Sequence, residues 1–206
     1  MKKKTKSLLI ALVLGDGCIP NTGKRNTLWI THSKSQKEYF KWKRKLISKL
    51  LDCGLPGFYH RTDEKHDEYS TNKSHRYFRI IRNWLYKDNE KRFFYKVIRH
   101  LDAEGLAIWF MDDGTHAVNR RKSSGKIMSH SFKLYTMCIY EDVKDIIRVL
   151  KENFDINAYP LKYKRKDGQL RYYLQWKTRE GRKFSNLVRP YILPSMQYKI
   201  MKYDEC

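Results

Sequence analysis

The chain has 206 residues, of which 41% are hydrophobic and 14% aromatic, enough to bury a sizeable core. Lysine and arginine number 44 against 22 acidic residues, giving a net charge of +22 at pH 7. This composition excludes a disordered chain and predicts a polyanionic partner, because so much uncompensated charge repels itself. No sequence stretch is long and apolar enough to predict a membrane span.

The four cysteines, Cys18, Cys53, Cys138 and Cys206, form no CxxC pair, and the seven histidines form no zinc-ligand pattern. Neither a zinc cluster nor a disulfide framework is therefore predicted. The simplest expectation is a reducing compartment, either the cytoplasm or an organellar matrix.

An apolar run that ends in Asp-Gly occurs twice, at residues 9–17 (LIALVLGDG) and 106–114 (LAIWFMDDG). Each run predicts a buried helix that ends at glycine and leaves one acid, Asp16 or Asp113, at the edge of the core. Recurrence in both halves predicts a duplicated lobe with one acid per half.

The first copy follows a lysine-rich start and therefore imitates a signal peptide. Asp16 disrupts the small-residue cleavage pattern, and the second copy lies in the middle of the chain. We therefore expect that the protein is not secreted.

Between the two motifs the pattern predicts a strand at residues 27–32 and then a helix capped by Ser33 and Gln36 and ended by Gly54. Two further strands are expected at 56–61 and 75–81 around a charged loop, followed by a short helix within 84–94. The second half predicts hairpins at 115–138 and 156–177, a helix at 141–154 and a final helix at 184–191. Each half thus reads helix, two strands, helix, two strands, helix, which predicts an α+β fold with antiparallel sheets.

The strand at residues 171–177 has two chemically different faces. Tyr172, Leu174 and Trp176 form the face predicted to pack on helices, whereas Arg171, Tyr173, Gln175 and Lys177 meet solvent or ligand. Arginine and glutamine can make bidentate contacts to base edges in a major groove, although a solvated basic face is the alternative. The predicted nucleic-acid surface also includes Lys24, Arg25, Trp29, Arg61, His75, Tyr77, Arg79, Arg120, Arg121, Lys122, Lys162 and Lys164.

If the two motif helices pack side by side, Asp16 and Asp113 meet at their C-terminal ends, where helix dipoles disfavour anions. A divalent cation would stabilise them, and magnesium binds through carboxylates together with phosphate oxygens. Paired acids beneath a basic groove therefore predict metal-assisted phosphodiester hydrolysis. The alternative is that one aspartate caps a neighbouring element.

These residues resemble the LAGLIDADG homing endonucleases in the form where one chain carries both motifs. The stretch WFMDDG at residues 109–114 is a specific match, and PYILPSMQYK at 190–199 is similar to the end of yeast-mitochondrial-type members. The resemblance implies a monomer of two pseudo-symmetric αββαββα lobes, residues 1–100 and 101–206, packed through the two LAGLIDADG helices. It also implies saddle-shaped antiparallel sheets on a long site in double-stranded DNA.

The resemblance implies that Asp16 and Asp113 each bind metal and each cut one strand across the minor groove, with Gly15 and Asp112 also in the metal site. The implied cofactor is Mg²⁺, with Mn²⁺ as a substitute and Ca²⁺ supporting binding without cleavage. Ala11 and Gly15 in the first helix correspond to Ile108 and Asp112 in the second. We therefore expect close but asymmetric helix packing and unequal nicking of the two strands.

The resemblance also implies one basic catalytic residue per lobe. The match points to Lys199 in the second half and to Lys91 in the first, with Arg92 as the alternative because Phe93 and Phe94 replace an expected proline.

The leading hypothesis is a site-specific DNA endonuclease encoded in a mobile element. An intein would need flanking splicing-domain sequence, which the 206 residues do not contain. The alternatives are a maturase that binds host intron RNA and a non-cleaving DNA-binding regulator on the same fold. Retention of both Asp16 and Asp113 favours the enzyme, and a ribosomal-type RNA-binding protein would not explain the repeated motif.

Overall fold

A computed structural model describes residues 1–21, 26–63 and 66–202. The first half contains α1 (Lys3–Leu14), β1 (Thr27–Ser33), α2 (Lys37–Leu51), β2 (Tyr59–Thr62), β3 (Asp67–Ser74), α3 (Arg76–Leu85), β4 (Tyr86–Lys87), β5 (Glu90–Lys91) and α4 (Tyr95–Ile98). The second half contains α5 (Ala103–Asp113), β6 (Gly114–Arg120), β7 (Ile127–Cys138), α6 (Tyr140–Phe154), β8 (Tyr159–Lys164), β9 (Leu170–Lys177) and α7 (Thr178–Val188). Two 3₁₀ turns follow α7, at Arg189–Tyr191 and Pro194–Lys199.

The two motif helices, α1 and α5, pack against each other at the centre of the molecule. Residues 8–14 and 106–111 are apolar on every side of these helices, so these segments can be surrounded by protein, and they are at most 1% exposed. At their N-terminal ends the Ser7 hydroxyl donates to Asp102 Oδ1 at 2.8 Å and accepts from the Asp102 amide at 3.0 Å. Asp102 Oδ1 also caps α5 by accepting from the Gly105 amide.

Each half builds an antiparallel sheet. The order is β1-β3-β2 in the first sheet and β6-β7-β9-β8 in the second. The predicted α+β class, with antiparallel sheets and two packed motif helices, is confirmed. The first sheet has three strands and the second has four. In the described part of the segment before β1, only Cys18 pairs with the first sheet, through a single β-bridge to Trp29.

The predicted strand at residues 75–81 is wrong, because this segment begins helix α3. Its aromatic and β-branched residues favour a strand, but the residues that become buried are Phe78, Ile81 and Leu85, which follow helical spacing. The strand β3 lies instead within the predicted charged loop. Only Tyr69 and Thr71 of β3 are buried, so its sequence carries little apolar signal.

Four smaller predictions also differ from the structure. Residues 84–94 contain the β4–β5 hairpin rather than a helix, and the last helix begins at Thr178 rather than at residue 184. Ser33 and Gln36 form no capping box, because Gln36 Oε1 is bonded to His32 Nδ1 at 2.8 Å. Helix α2 ends at Leu51, with Asp52 in the left-handed conformation, before Gly54 is reached. No helix among the described residues has the length and apolarity of a membrane span.

Candidate functional site

The exposed face of the second sheet carries the polar and aromatic residues that the sequence predicted there. Leu174 and Trp176 of β9 are buried, so Arg171, Tyr173, Gln175 and Lys177 point to the opposite face. Three residues of β7 and β8 that the strand pattern did not predict share that face through direct pairing: Ser131, Lys133 and Tyr159. Tyr135 joins the same face by stacking on Tyr173, with ring centroids 5.2 Å apart.

Lys162 and Lys164 lie on the other face of this sheet. The register pairs Lys162 with Tyr172 and Lys164 with Leu170, which have the same parity as the buried Leu174. Both lysines are exposed. Lys162 and Lys164 therefore lie on a different face of the sheet from Arg171, because successive side chains of a strand point to opposite sides. Their contact with nucleic acid stays a prediction.

In the first sheet Leu28, Ile30 and His32 are buried, so Trp29 is directed outwards and is 41% exposed. Trp29 stacks on Tyr59 of β2, with ring centroids 6.4 Å apart. Arg61 shares this face and donates to Asp63 at 2.7 Å.

The remaining predicted contact residues are distributed more widely. His75 caps helix α3 by accepting from the Tyr77 amide, and Arg79 lies within that helix, so the strand on which their assignment depended does not exist. Arg120, Arg121 and Lys122 lie at the exposed end of the β6–β7 hairpin. Lys24 and Arg25 fall outside the described residues.

Asp16 and Asp113 stand at adjacent C-terminal ends of the motif helices. Burial, reinforced by the charge of Asp112, raises the pKa of Asp16 to about 6. Burial and the charges of Asp112 and Asp16 raise the pKa of Asp113 to about 7. The Trp109 indole donates to Asp113 Oδ2 at 3.2 Å.

Lys91 and Lys199 occupy related positions at the ends of these helices. Lys91 Nζ donates to the Gly15 and Gly17 carbonyls at 2.9 and 3.1 Å, and Lys199 Nζ donates to the Met111 carbonyl at 2.5 Å. Burial lowers the pKa of both lysines. Each ammonium therefore balances the partial negative charge at the C-terminal end of the motif helix in its own half.

The lysine of the first half, Lys91, also lies near the acid of the second half, Asp113. Lys91 and Asp113 line one cleft of about 350 Å³, and Asp113 is the strongest charge acting to raise the pKa of Lys91. Arg92, the alternative to Lys91, is instead bonded to both carboxylate oxygens of Asp142 at 2.8 and 3.0 Å.

A buried polar cluster that no sequence pattern predicted lies beside Asp16. The carboxylate of Asp112 accepts from Lys43 Nζ at 2.5 Å, from the Tyr39 hydroxyl at 2.6 Å and from the Asp16 amide at 3.1 Å. Although burial opposes its ionisation, the Lys43 charge and these hydrogen bonds hold the pKa of Asp112 below its usual range. The side chains of Lys43 and Asp112 are both 0% exposed.

His32 completes this cluster as a neutral imidazole. Lys43 Nζ donates to His32 Nε2 at 3.0 Å, and an ammonium has no acceptor, so the ring proton is on Nδ1 and is donated to Gln36 Oε1. Burial and the charge of Lys43 lower the pKa of His32 to about 4. One signal in the sequence could have located Lys43: it lies four residues after the buried Tyr39 and four before the buried Ile47.

The donor set fits a divalent cation at Asp16 and Asp113. Two carboxylates lie at two helix C-termini, where burial raises the pKa of both and the charge of Asp112 adds to that rise. Asp16, His32 and Asp112 also offer ligand atoms within 4.8 Å of one another. The ammonium of Lys43, however, already contacts all three of those side chains. The main-chain carbonyls of Gly15 and Asp112 accept from Lys91 and Lys199.

Several proteins of known type are similar in sequence to this chain. It is 27% identical to a probable intron-encoded endonuclease of Wickerhamomyces canadensis, over 98% of this chain and 85% of the relative. It is 24% identical to a RecA protein of Mycolicibacterium flavescens, over 94% of this chain and 45% of the relative. The chain thus spans less than half the length of that RecA protein. A cytochrome b mRNA maturase of Saccharomyces cerevisiae is 30% identical over 60% of this chain and 26% of its own length.

Solved structures share the fold. The homing endonuclease I-WcaI, bound to its DNA recognition sequence, superposes with a TM-score of 0.73 at 23% identity, covering 97% of this chain and 87% of that one. The structure of I-DmoI in complex with DNA and Mn gives a TM-score of 0.54 at 14% identity, covering 90% of this chain and 96% of that one. A family model described as the LAGLIDADG DNA endonuclease family matches residues 6–184. This chain therefore belongs to the LAGLIDADG DNA endonuclease family.

Proposed function

We propose that this chain is a site-specific, metal-dependent endonuclease that cuts both strands of a long site in double-stranded DNA. The observation that carries the proposal is the arrangement at the motif helices, where two acids stand together and a lysine of the opposite half faces Asp113. The relatives support it, since one is named as an intron-encoded endonuclease and one solved neighbour is bound to its DNA recognition sequence.

In this proposal the exposed faces of the two sheets bind the duplex. Lys177, Gln175 and Lys133 supply hydrogen-bond donors and positive charge in the second sheet, and Trp29 with Tyr59 supplies aromatic surface in the first. The net charge of +22 favours binding to a polyanion through release of counterions.

Asp16 and Asp113 would hold Mg²⁺, which when bound supplies Lewis acidity toward the phosphate and lowers the pKa of an attacking water. The carboxylates contribute negative charge and oxygen donors. Lys91 and Lys199 would lie close to the negative charge that develops on the phosphate. Their hydrogen bonds to main-chain carbonyls fix the positions of their ammonium groups. Mn²⁺ is the proposed substitute, consistent with the neighbour solved with DNA and Mn, and Ca²⁺ is proposed to support binding only.

The proposal divides the chain into lobes 1–100 and 101–206 and has it act as a monomer, with one cut assigned to each acid. The sheet of each half supports this division, because β1–β3 and β6–β9 pair only within their own half among the described strands. The thiols of Cys18, Cys53 and Cys138 are free, which suits a reducing cytoplasm or organellar matrix with access to DNA.

Intron RNA is the second candidate ligand, because a cytochrome b mRNA maturase is among the relatives. A maturase would use the same basic surfaces without requiring a cut in DNA.

Selection from a randomised duplex library tests the proposal. Duplexes would be bound in Ca²⁺, transferred to Mg²⁺ and sequenced at their ends, with Asp16→Asn and Asp113→Asn in parallel. Staggered cuts at one long motif, with one strand's cut lost in each variant, are expected. Enrichment of a duplex without cuts would contradict the proposed endonuclease activity. If no duplex were enriched, the binding selection would be repeated with folded intron RNA.

A further inference from the structure

The proposed reaction assigns no role to the side chains of Lys43 and Asp112 in the buried cluster beside Asp16. Lys43 comes from helix α2 of the first half and Asp112 from motif helix α5 of the second, and both side chains are completely buried. Their contact of 2.5 Å therefore joins the two halves through a pair of full charges. A buried charge is tolerated only when it is paired and hydrogen-bonded, and this pair satisfies that condition.

The pair acts on Asp16 through two separate contacts. Asp112 Oδ2 accepts a hydrogen bond from the Asp16 main-chain amide at 3.1 Å, which fixes the backbone just after α1 ends. Lys43 Nζ lies 3.6 Å from Asp16 Oδ2, which draws the carboxylate toward the cluster. Backbone and side chain of Asp16 are thus oriented by the same two residues.

Asp113 has a different environment. Gly15 stands in the first motif where Asp112 stands in the second, so helix α1 cannot offer Asp113 a reciprocal carboxylate contact. Asp113 instead accepts from Trp109 of its own helix, four residues earlier. The two acids are therefore positioned by different means.

We propose that Lys43 and Asp112 form a buried positioning pair that orients Asp16 for the cut made on its strand, and that Asp113 does not depend on this pair. The inference rests on the proposed endonuclease function, because it assigns one cut to each acid. Neither Lys43 nor Asp112 needs to contact DNA for this role, since both act through Asp16.

Two double variants separate orientation from the ion pair itself. Lys43→Met with Asp112→Leu removes both charges and the acceptor for the Asp16 amide, whereas Lys43→Met with Asp112→Asn removes the charges but keeps an acceptor. Single substitutions would leave an uncompensated buried charge and lower stability, so the double variants carry the test. Lys45→Met is the matched control, because Lys45 lies on the exposed side of the same helix.

Strand-specific nicking is the first readout. Asp16→Asn defines which strand depends on Asp16, and each strand of the duplex carries its own end label. We expect the Leu double variant to slow the Asp16-dependent cut about tenfold or more relative to the other cut, as for a small misplacement of a catalytic group. The Asn double variant should recover part of that loss, and Lys45→Met should leave the ratio unchanged.

Hydrogen exchange at the Asp16 amide is the second readout and does not depend on cleavage. Protection is expected in the wild type and in the Asn double variant, and loss of protection in the Leu double variant. If the wild type cuts neither strand, the endonuclease function fails, and unchanged protection would separately overturn the positioning role. Equal slowing of both cuts in a folded Leu variant, no slowing, or failure of both double variants to fold would each overturn the proposal.

Discussion

A Cβ atom placed on Gly15 would lie 2.0 Å from Oδ2 of Asp112, so the two motif helices approach each other this closely only because residue 15 has no side chain. The same Asp112 oxygen accepts the hydrogen bond from the Asp16 amide. Gly15 of the first motif therefore leaves a space beside helix α1, and the Asp112 carboxylate of the second motif occupies that space.

Replacement of Gly15 by alanine should lower the free energy of unfolding by about 3 kcal/mol, as expected for overpacking of a rigid interior. The added methyl group would displace Asp112 from Lys43 and from the Asp16 amide. Denaturant unfolding measures the change, with Gly54→Ala as the control because a Cβ at Gly54 would meet no atom within 4 Å. An equal effect of both substitutions would contradict this account of the helix contact.

In metal-free buffer the stability of the protein should contain a component that falls as pH rises from about 4 to about 7. The pKa of Asp16 is raised to about 6 and that of Asp113 to about 7, mainly by burial, above the value near 3.8 of the unfolded chain. The folded state thus binds more protons than the unfolded state in this window, and ionisation destabilises it.

The double variant Asp16→Asn with Asp113→Asn isolates this component, because other titrating groups remain the same. It should be more stable than the wild type by about 1 to 2 kcal/mol at pH 8, a range that allows for solvent screening of these partly exposed carboxylates, and equal to it near pH 4. Urea unfolding in a chelator across the pH range measures both curves. A difference between them that does not change with pH would show that folding does not raise the pKa of these two acids.

Lys177 and Lys162 test the register of the second sheet. Lys177 pairs with Ser131 on the exposed face, whereas Lys162 pairs with Tyr172 on the opposite face. Lys177→Ala should weaken binding to the selected DNA about fivefold and reduce the slope of log affinity against log salt by about 1. Lys162→Ala removes the same charge and should change neither quantity by as much. Equal effects would indicate that DNA contacts both faces or that only net charge matters.

Much of this arrangement could be predicted from local pattern. The repeated apolar runs ending in Asp-Gly predict two buried helices with Asp16 and Asp113 at their ends, because an apolar helix and a terminal glycine are local features. The alternation in residues 171–177 likewise predicts which side of β9 is buried, and the structure has Leu174 and Trp176 in the core.

Features that depend on pairing between distant residues could not be predicted in this way. Lys43 stands in a basic segment of α2, and nothing nearby in sequence indicates that Asp112, 69 residues later, neutralises it. The face of Lys162 depends on the register with β9, which one strand alone does not define. The predicted strand at residues 75–81 was wrong for a different reason: the aromatic and β-branched residues of this segment favour a strand, whereas the spacing of Phe78, Ile81 and Leu85 fits a helix.

Gln175 provides a test of base recognition by the second sheet. Its side-chain amide donates to the Ser131 hydroxyl at 2.6 Å, which orients the amide on the exposed face. Gln175→Ala should reduce discrimination at one base pair by about 1 to 3 kcal/mol, because a glutamine amide contacts a specific base edge.

Ser131→Ala should alter preference at that same base pair, since the amide then loses the contact that orients it. Competition among single-base variants of the selected site, at constant salt, measures both effects. Uniform weakening against every variant would instead indicate that Gln175 contacts the phosphate backbone, and an effect of Ser131→Ala at a different base pair would show that the two residues do not act together.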